Sequence, residues 1–213
     1  MFVRAELKSE AKRQIKGNIG ILFVCTLIIG LIVSIPSGTI FPLQANTNNL
    51  ALHSLSSLIA IFLAPAFFMG IVMIYLNLTK GQKPAVGDIF KGFHIYGKAV
   101  WLFVITQFFT MLWSLLFIVP GIIKSIAYSM SPYILAENPD MTAREALNES
   151  KRITAGHKGE LFVLSLSFFG WILLGCITFG IAMIYVAPYM QATMTNAYLN
   201  LKEQAQNPIA EKS

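Results

Sequence analysis

Lys124 is the only formal charge between Lys98 and Glu137, set in an otherwise apolar run that Pro120 and Gly121 interrupt. Four residues past Pro120, at the 1.5 Å rise of a helix, it lies about 6 Å from that turn. A charge at such a depth is a candidate for binding an anionic headgroup or solute. A lysine stem also snorkels back to an interface, so two readings stand side by side. Polar groups surround it in sequence: Ser125, Tyr128, Ser129, Ser131 and Tyr133 on its own segment, and Thr106, Gln107, Thr110 and Ser114 on the one before. From these, Lys124, Tyr128, Ser131 and Gln107 are the candidate contacts for a lipid or a solute. Pro65, Pro132 and Pro188 are the candidate kinks. Each falls near the middle of an apolar segment, where its ring would free the carbonyl of Ile61, Tyr128 or Ile184. Freed carbonyls serve hydrogen-bonded helix packing, or they line the broken helices of a binding path.

Other chemistries lack residues. No Asp or Glu occurs within the long apolar runs, so a buried acid–base pair or a carboxylate metal site has nothing to use. His53, His94 and His157 are scattered, the first in an expected outer loop and the others at the inner face. Neither a nucleophile elbow, a zinc-binding H-E-x-x-H, a phosphate loop nor a CxxC pair occurs. Cys25 and Cys176 lie at different expected depths, which fits small apolar residues better than a disulfide or a metal site. The expectation is a protein that is not an enzyme, with no catalytic residue, metal or cofactor and no nucleic-acid partner.

The elements that position these residues follow from the composition. The apolar set makes up 55% of the 213 residues and charged residues only 12%, about half the charge of an ordinary soluble domain. Charge is absent between Lys16 and Lys80 and between Glu160 and Lys202, and nearly so between Lys98 and Glu137. A span needs about 20 apolar residues, so each gap accommodates two. Lipid leaves no partner for free backbone groups, and the runs do not alternate as barrel strands do. The reading is therefore an all-α polytopic membrane protein with six transmembrane helices, near 19–36, 55–78, 99–119, 122–136, 161–176 and 180–200. The first run is longer than a signal-peptide core and is preceded by Glu6 and Glu10, which favours an uncleaved span. All but one of the sixteen Lys and Arg residues fall on one side of this arrangement, which the positive-inside rule makes cytoplasmic. Both termini are then inside, and residues 201–213 form a short cytoplasmic tail.

A repeat runs through the single membrane domain of residues 1–200. Gly17, Gly97 and Gly156 are each followed, after four residues, by Leu-Phe-Val at 22–24, 102–104 and 161–163. Ala64-Pro65, Ser131-Pro132 and Ala187-Pro188 recur further on. Three helical hairpins, about 17–78, 97–136 and 156–200, are implied, related by a pseudo-threefold axis. Each has an amphipathic segment before it. Val3, Leu7, Ala11 and Ile15 share a face in the first, and Asp88 caps a short turn carrying Ile89, Phe90 and Phe93 in the second. In the third, Thr142-Ala-Arg-Glu145 reads as a capping box and Gly156 as the stop. Ala143, Ala146, Leu147, Ser150, Ile153 and Thr154 form one face of it. Such cytoplasmic helices lie at the headgroups, dock on the bundle, or remain solvated connectors.

Gly92-Phe93, Gly97-Lys98, the run Leu112-Trp-Ser-Leu-Leu-Phe-Ile-Val-Pro-Gly-Ile-Ile-Lys124, Tyr128-Ser-Met-Ser-Pro-Tyr-Ile-Leu135, Glu137-Asn-Pro139, Gly156-His-Lys158 and Leu166-Ser-Phe-Phe-Gly-Trp171 resemble a known family. It is the bacterial integral membrane family catalogued as domain of unknown function 975, and the likeness covers roughly residues 1–200. The resemblance implies a multi-span membrane protein and carries no activity. Function is then expected from exclusion: binding of membrane lipids, or of a partner membrane protein or a second copy, in envelope function or secretion. The alternative is a small permease or channel using the midmembrane prolines and the polar third and fourth spans.

Overall fold

The computed structural model describes residues 4–37, 50–116, 118–178 and 182–206. Every regular element among them is helical: α1 Arg4–Ile15, α2 Ile19–Ser37, α3 Leu50–Thr79, a 3-10 helix Val86–Ile95, α4 Tyr96–Leu116, α5 Ile118–Tyr128, α6 Ser131–Glu137, α7 Ala143–Ile153, α8 Lys158–Leu166, α9 Phe169–Ile177 and α10 Met183–Gln206. Among the described residues, three stretches are long and apolar enough to cross a membrane: Phe62–Thr79, Val86–Leu115 and Lys158–Gly175. The α1–α2 pair, bent by 92°, makes a fourth if counted as one.

Among the described residues, helices run along the expected segments, with shifted ends and different breaks. His53 falls within the start of α3 rather than in a loop. Pro120 lies in the first turn of α5, where a missing N–H costs little, so the chain turns before it. Pro132 does not kink a helix. The chain breaks at Ser129–Met130, and Pro132 sits in the first turn of α6. The Tyr128 carbonyl is satisfied locally, by the Ser131 hydroxyl donating to it at 2.7 Å. Pro65 and Pro188 do lie inside helices, both buried. α10 continues through Gln206, so the first six residues of the expected tail are helix and Leu201 belongs to the core.

The three amphipathic segments all dock on the bundle. Leu7, Ala11 and Ile15 of the first face are buried, with α1 packed along α10, and Val3 lies outside the described residues. The 3-10 helix packs along α3, burying Ile89, Gly92 and Ile95, and Asp88 accepts from the Ala85 N–H. α7 packs chiefly on α6, with Ala143, Ala146, Leu147, Ser150, Ile153 and Thr154 all buried, so it is no solvated connector. Its capping box is formed: Thr142 Oγ1 accepts from the Glu145 N–H, and the Glu145 carboxylate from the Thr142 N–H at 2.8 Å. A small buried residue sits within each face: Ala11, Gly92 and Ser150.

These close approaches have specific chemistry. A Cβ at Gly92 would lie 1.9 Å from the Ala66 carbonyl oxygen and 2.6 Å from the Gly70 nitrogen. Ser150 instead donates its hydroxyl to the Ala127 carbonyl at 2.7 Å. Gly17 and Gly156 adopt φ of 89° and 88°, turning the chain from α1 into α2 and from α7 into α8. Gly97 has no such turn to make, because the 3-10 helix runs directly into α4. The three leucines opening Leu-Phe-Val share an environment, Leu22, Leu102 and Leu161 being at most 3% exposed. The Val and Phe residues after them lie at or near the surface.

Candidate functional site

α3, α4, α5 and α6 enclose a half-open cleft of about 270 Å³. It collects most of the residues singled out from sequence: Pro65, Gln107, Tyr128, Ser131 and Pro132 all line it. The walls are mainly apolar, with Phe68 and Met69 from α3 facing Leu102 and Phe103 from α4. α3 contributes Pro65, Phe68 and Met69 because positions three and four apart share a helix face. Gly92 and Gly70 let the 3-10 helix seat closely on α3, which holds the start of α4 beside it.

The polar groups of the cleft differ in what remains free. Ser125, Ser129 and Ser131 each donate to a carbonyl three residues earlier, at 2.8, 2.8 and 2.7 Å. Their hydroxyls therefore satisfy their own backbone first. Gln107 is exposed and has no hydrogen bond among the described residues, and the Thr106 hydroxyl is buried without one. Both lie on the same turn of α4. An amide in an apolar medium without a partner costs about 1–3 kcal/mol or more. The cleft thus offers apolar walls and one unmet amide, a setting for a largely apolar guest with a hydrogen-bonding group.

Lys124 and Pro188 lie outside this lining. The Lys124 ammonium sits 4.8 Å from the centroid of the Trp113 ring, across the α4–α5 hairpin. That hairpin is closed tightly, since a Cβ on Gly121 would meet Ser114 Oγ at 2.4 Å. Trp and Lys near helix ends are typical interfacial anchors. Pro188 packs within α10, beside the buried Tyr189 ring that Phe168 meets edge-on at 5.8 Å.

A second polar assembly was not legible from the sequence. Glu137 at the end of α6 meets Lys202 of α10 at 2.7 Å and accepts from the Tyr198 hydroxyl at 2.6 Å. Burial acts against its charge, but those two donors outweigh it and hold the carboxyl below its ordinary value. A pocket of about 200 Å³ adjoins this group and reaches Arg152. Arg152 makes two bonds to the Glu149 carboxylate, 2.6 and 2.8 Å long, so both cations at this pocket are already neutralised. The only local signal was a charge adjoining an apolar helix; its partners are more than sixty residues away. Among the described residues no cluster of His, Cys, Asp and Glu could hold a metal ion.

Comparison with curated proteins finds no match, and none is found among solved structures. A family model described as "Protein of unknown function (DUF975)" matches residues 1–127 and 115–205, and the chain belongs to that family.

Proposed function

We propose that this is a non-enzymatic, six-span protein of the bacterial cytoplasmic membrane that binds a lipid or a partner membrane protein in envelope function or secretion. Its three hairpins run 17–78, 97–136 and 156–200, with both termini inside. The like burial of Leu22, Leu102 and Leu161 supports the hairpin reading, as does the docking of each amphipathic segment on a returning helix. The observation that carries the function is the unmet Gln107 amide beside the apolar cleft. In lipid such a group needs a partner, and a lipid's polar atoms or a neighbouring helix supplies one.

Mass spectrometry of the protein in native membrane discs tests this. A specific lipid or protein should co-purify with the wild type and be depleted with Gln107→Leu. Recovery of neither from the wild type refutes the binding reading. Reporter fusions after Lys80, Glu160 and Lys202 should all read cytoplasmic, and an outside signal at any of them refutes the topology.

A small permease is the alternative, and one observation favours it. Tyr133, bonded to Gln191 at 3.3 Å and stacked on Tyr198, continues the polar chain from Glu137 into the core. Solute flux in proteoliposomes, lost with Glu137→Gln, would decide for it. Against it, the cleft is mainly apolar and does not include Lys124.

A further inference from the structure

We propose that the 3-10 helix Val86–Ile95 lies in the surface of the inner leaflet and inserts an aromatic stripe into it, so that the partner of this face is the bilayer itself. This rests on the topology proposed above, which puts the link between the first two hairpins inside. A 3-10 helix has three residues per turn, so residues three apart stand one above another. The three stripes of this helix differ in chemistry. Ile89, Gly92 and Ile95 are buried against the bundle. Asp88, Lys91 and His94 form a polar stripe, with the Lys91 ammonium 2.7 Å from the Asp88 carboxylate. Phe90 and Phe93, continued by Tyr96 at the start of α4, form the third. Their rings stack as a ladder, Phe90 on Phe93 with centroids 6.3 Å apart and Phe93 on Tyr96 at 6.2 Å. Phe67 of α3 braces it edge-on, 5.1 Å from Phe93 and 6.0 Å from Phe90. The three ladder residues nevertheless remain 56%, 37% and 36% exposed.

A helix that meets only protein and water needs one apolar face. A second apolar face beside a charged one fits an element that meets protein, lipid and water at once. Helix lengths place it at that level. α4 has 21 residues, Tyr96–Leu116, about 31 Å at the helical rise and so the thickness of a hydrocarbon core. The 3-10 helix before it then falls at the interface. α3 gives the same measure: the 3-10 helix touches Gly70, and from Leu50 at the start of α3 to Gly70 is about 30 Å. The ladder also prolongs the face that α4 turns to lipid, because Val104, Phe108, Met111 and Leu115 are exposed at the three-and-four spacing of one helix side. Lys98 marks the opposite, watery side, donating to the Asp140 carbonyl at 3.1 Å in the loop before α7. A tyrosine ring at the join, with its polar tip, is typical of the headgroup level.

The test is site-directed spin labelling of the full chain in membrane discs, in a background of Cys25→Ala and Cys176→Ala. Labels at Phe90→Cys and Phe93→Cys should collide several-fold more with dissolved oxygen, which concentrates in the bilayer, than with a water-soluble nickel chelate. A label at Lys91→Cys, one residue away, should show the reverse. Gly87→Cys lies on the aromatic stripe with nothing within 4 Å of its Cβ; it keeps all three rings and should behave as residues 90 and 93 do. Preferential collision with the chelate at 87, 90 and 93 overturns the proposal. Protection of these labels from both reagents overturns it too, because a protein partner or a second copy then covers the stripe. Either result with a cytoplasmic reporter after Lys80 overturns this inference alone and leaves the topology and the cleft reading intact. An outside reporter after Lys80 overturns the inner-leaflet placement together with that topology.

Discussion

Replacing Gly92 by Ala adds one methyl group at the point where the 3-10 helix crosses α3. Its carbon would lie 1.9 Å from the Ala66 carbonyl oxygen, 2.6 Å from the Gly70 nitrogen and 3.0 Å from the Ala66 carbonyl carbon. All three are backbone atoms of a long helix, so no side chain can rotate aside. Ordinary contact begins near 3.4–4 Å, and the segment must therefore retreat by more than an ångström. Retreat loosens Ile89, now fully buried against Gly70. Overpacking of this kind costs about 1–3 kcal/mol, and the rigidity of both partners puts this site at the upper end. For a chain of this size about 3 kcal/mol corresponds to a fall of roughly 6–12 °C in Tm. Gly87 and Gly97 flank the same element with nothing within 4 Å of a Cβ and no positive φ. Alanine there should be neutral, or stabilising by ~0.4–1 kcal/mol through the unfolded state. Thermal unfolding of the three purified variants provides the comparison. Equal Tm values for Gly92→Ala and the two control variants would refute the close crossing.

Four further substitutions separate the roles assigned above. Gly156→Ala should cost ~1–2 kcal/mol because φ is 88° there with space around it, whereas Gly159→Ala should not; chemical unfolding distinguishes strain from clash. Lys124→Met should change stability by less than about 1 kcal/mol, the scale of a cation–π contact, and leave the co-purifying species intact. Loss of that species with an unchanged Tm would return Lys124 to the site. Glu137→Gln should destabilise by ~1.5–3 kcal/mol, the scale of hydrogen bonds to a charged group. The folded carboxyl titrates below its ordinary 4.5. Its contribution is therefore fully present above that value and lost as pH falls through the lower folded one. A pH series of unfolding midpoints should show an acid limb that flattens in Glu137→Gln.

Helix positions and the buried faces of α1 and α7 were legible because their signals are local: charge-free runs, i+4 spacing and a capping box four residues long. The cleft was half legible. Polar residues in an apolar run announced Gln107, Tyr128 and Ser131, but spacing along one helix does not say which other helix faces it. Lys124 shows the limit, since its position in the chain does not name its neighbour, Trp113 across the turn. Pro132 shows another. A proline in an apolar run reads as a kink whether or not the helix continues through it, and here the break precedes it. The Glu137, Lys202 and Tyr198 assembly depends on α6 meeting α10, a tertiary fact without local signature.

The cleft and a second groove, between α5 and α8, occupy corresponding places when residues are counted from the buried leucine of each Leu-Phe-Val segment. The phenylalanine after that leucine, Phe103 or Phe162, lines the respective niche. Three residues before it stand Ala99 in the first niche and Lys158 in the second, and both line their niche too. Five residues after it stand Gln107 in the cleft and Leu166 in the other unit. One unit therefore carries an amide five residues beyond its leucine, and the other an ammonium three residues before it. The third unit, counted from Leu22, has Ile19 and Leu27 at those positions. With neither group it has nothing to orient a polar guest, and its neighbouring helix α10 is instead covered by α1. There Lys8 and Lys12 lie over the Phe168 and Tyr189 rings at 5.1 and 5.7 Å, and Asn196 donates to the Leu7 carbonyl. The same helical plan thus closes one junction with its own N-terminal helix and leaves a cleft and an open groove at the other two.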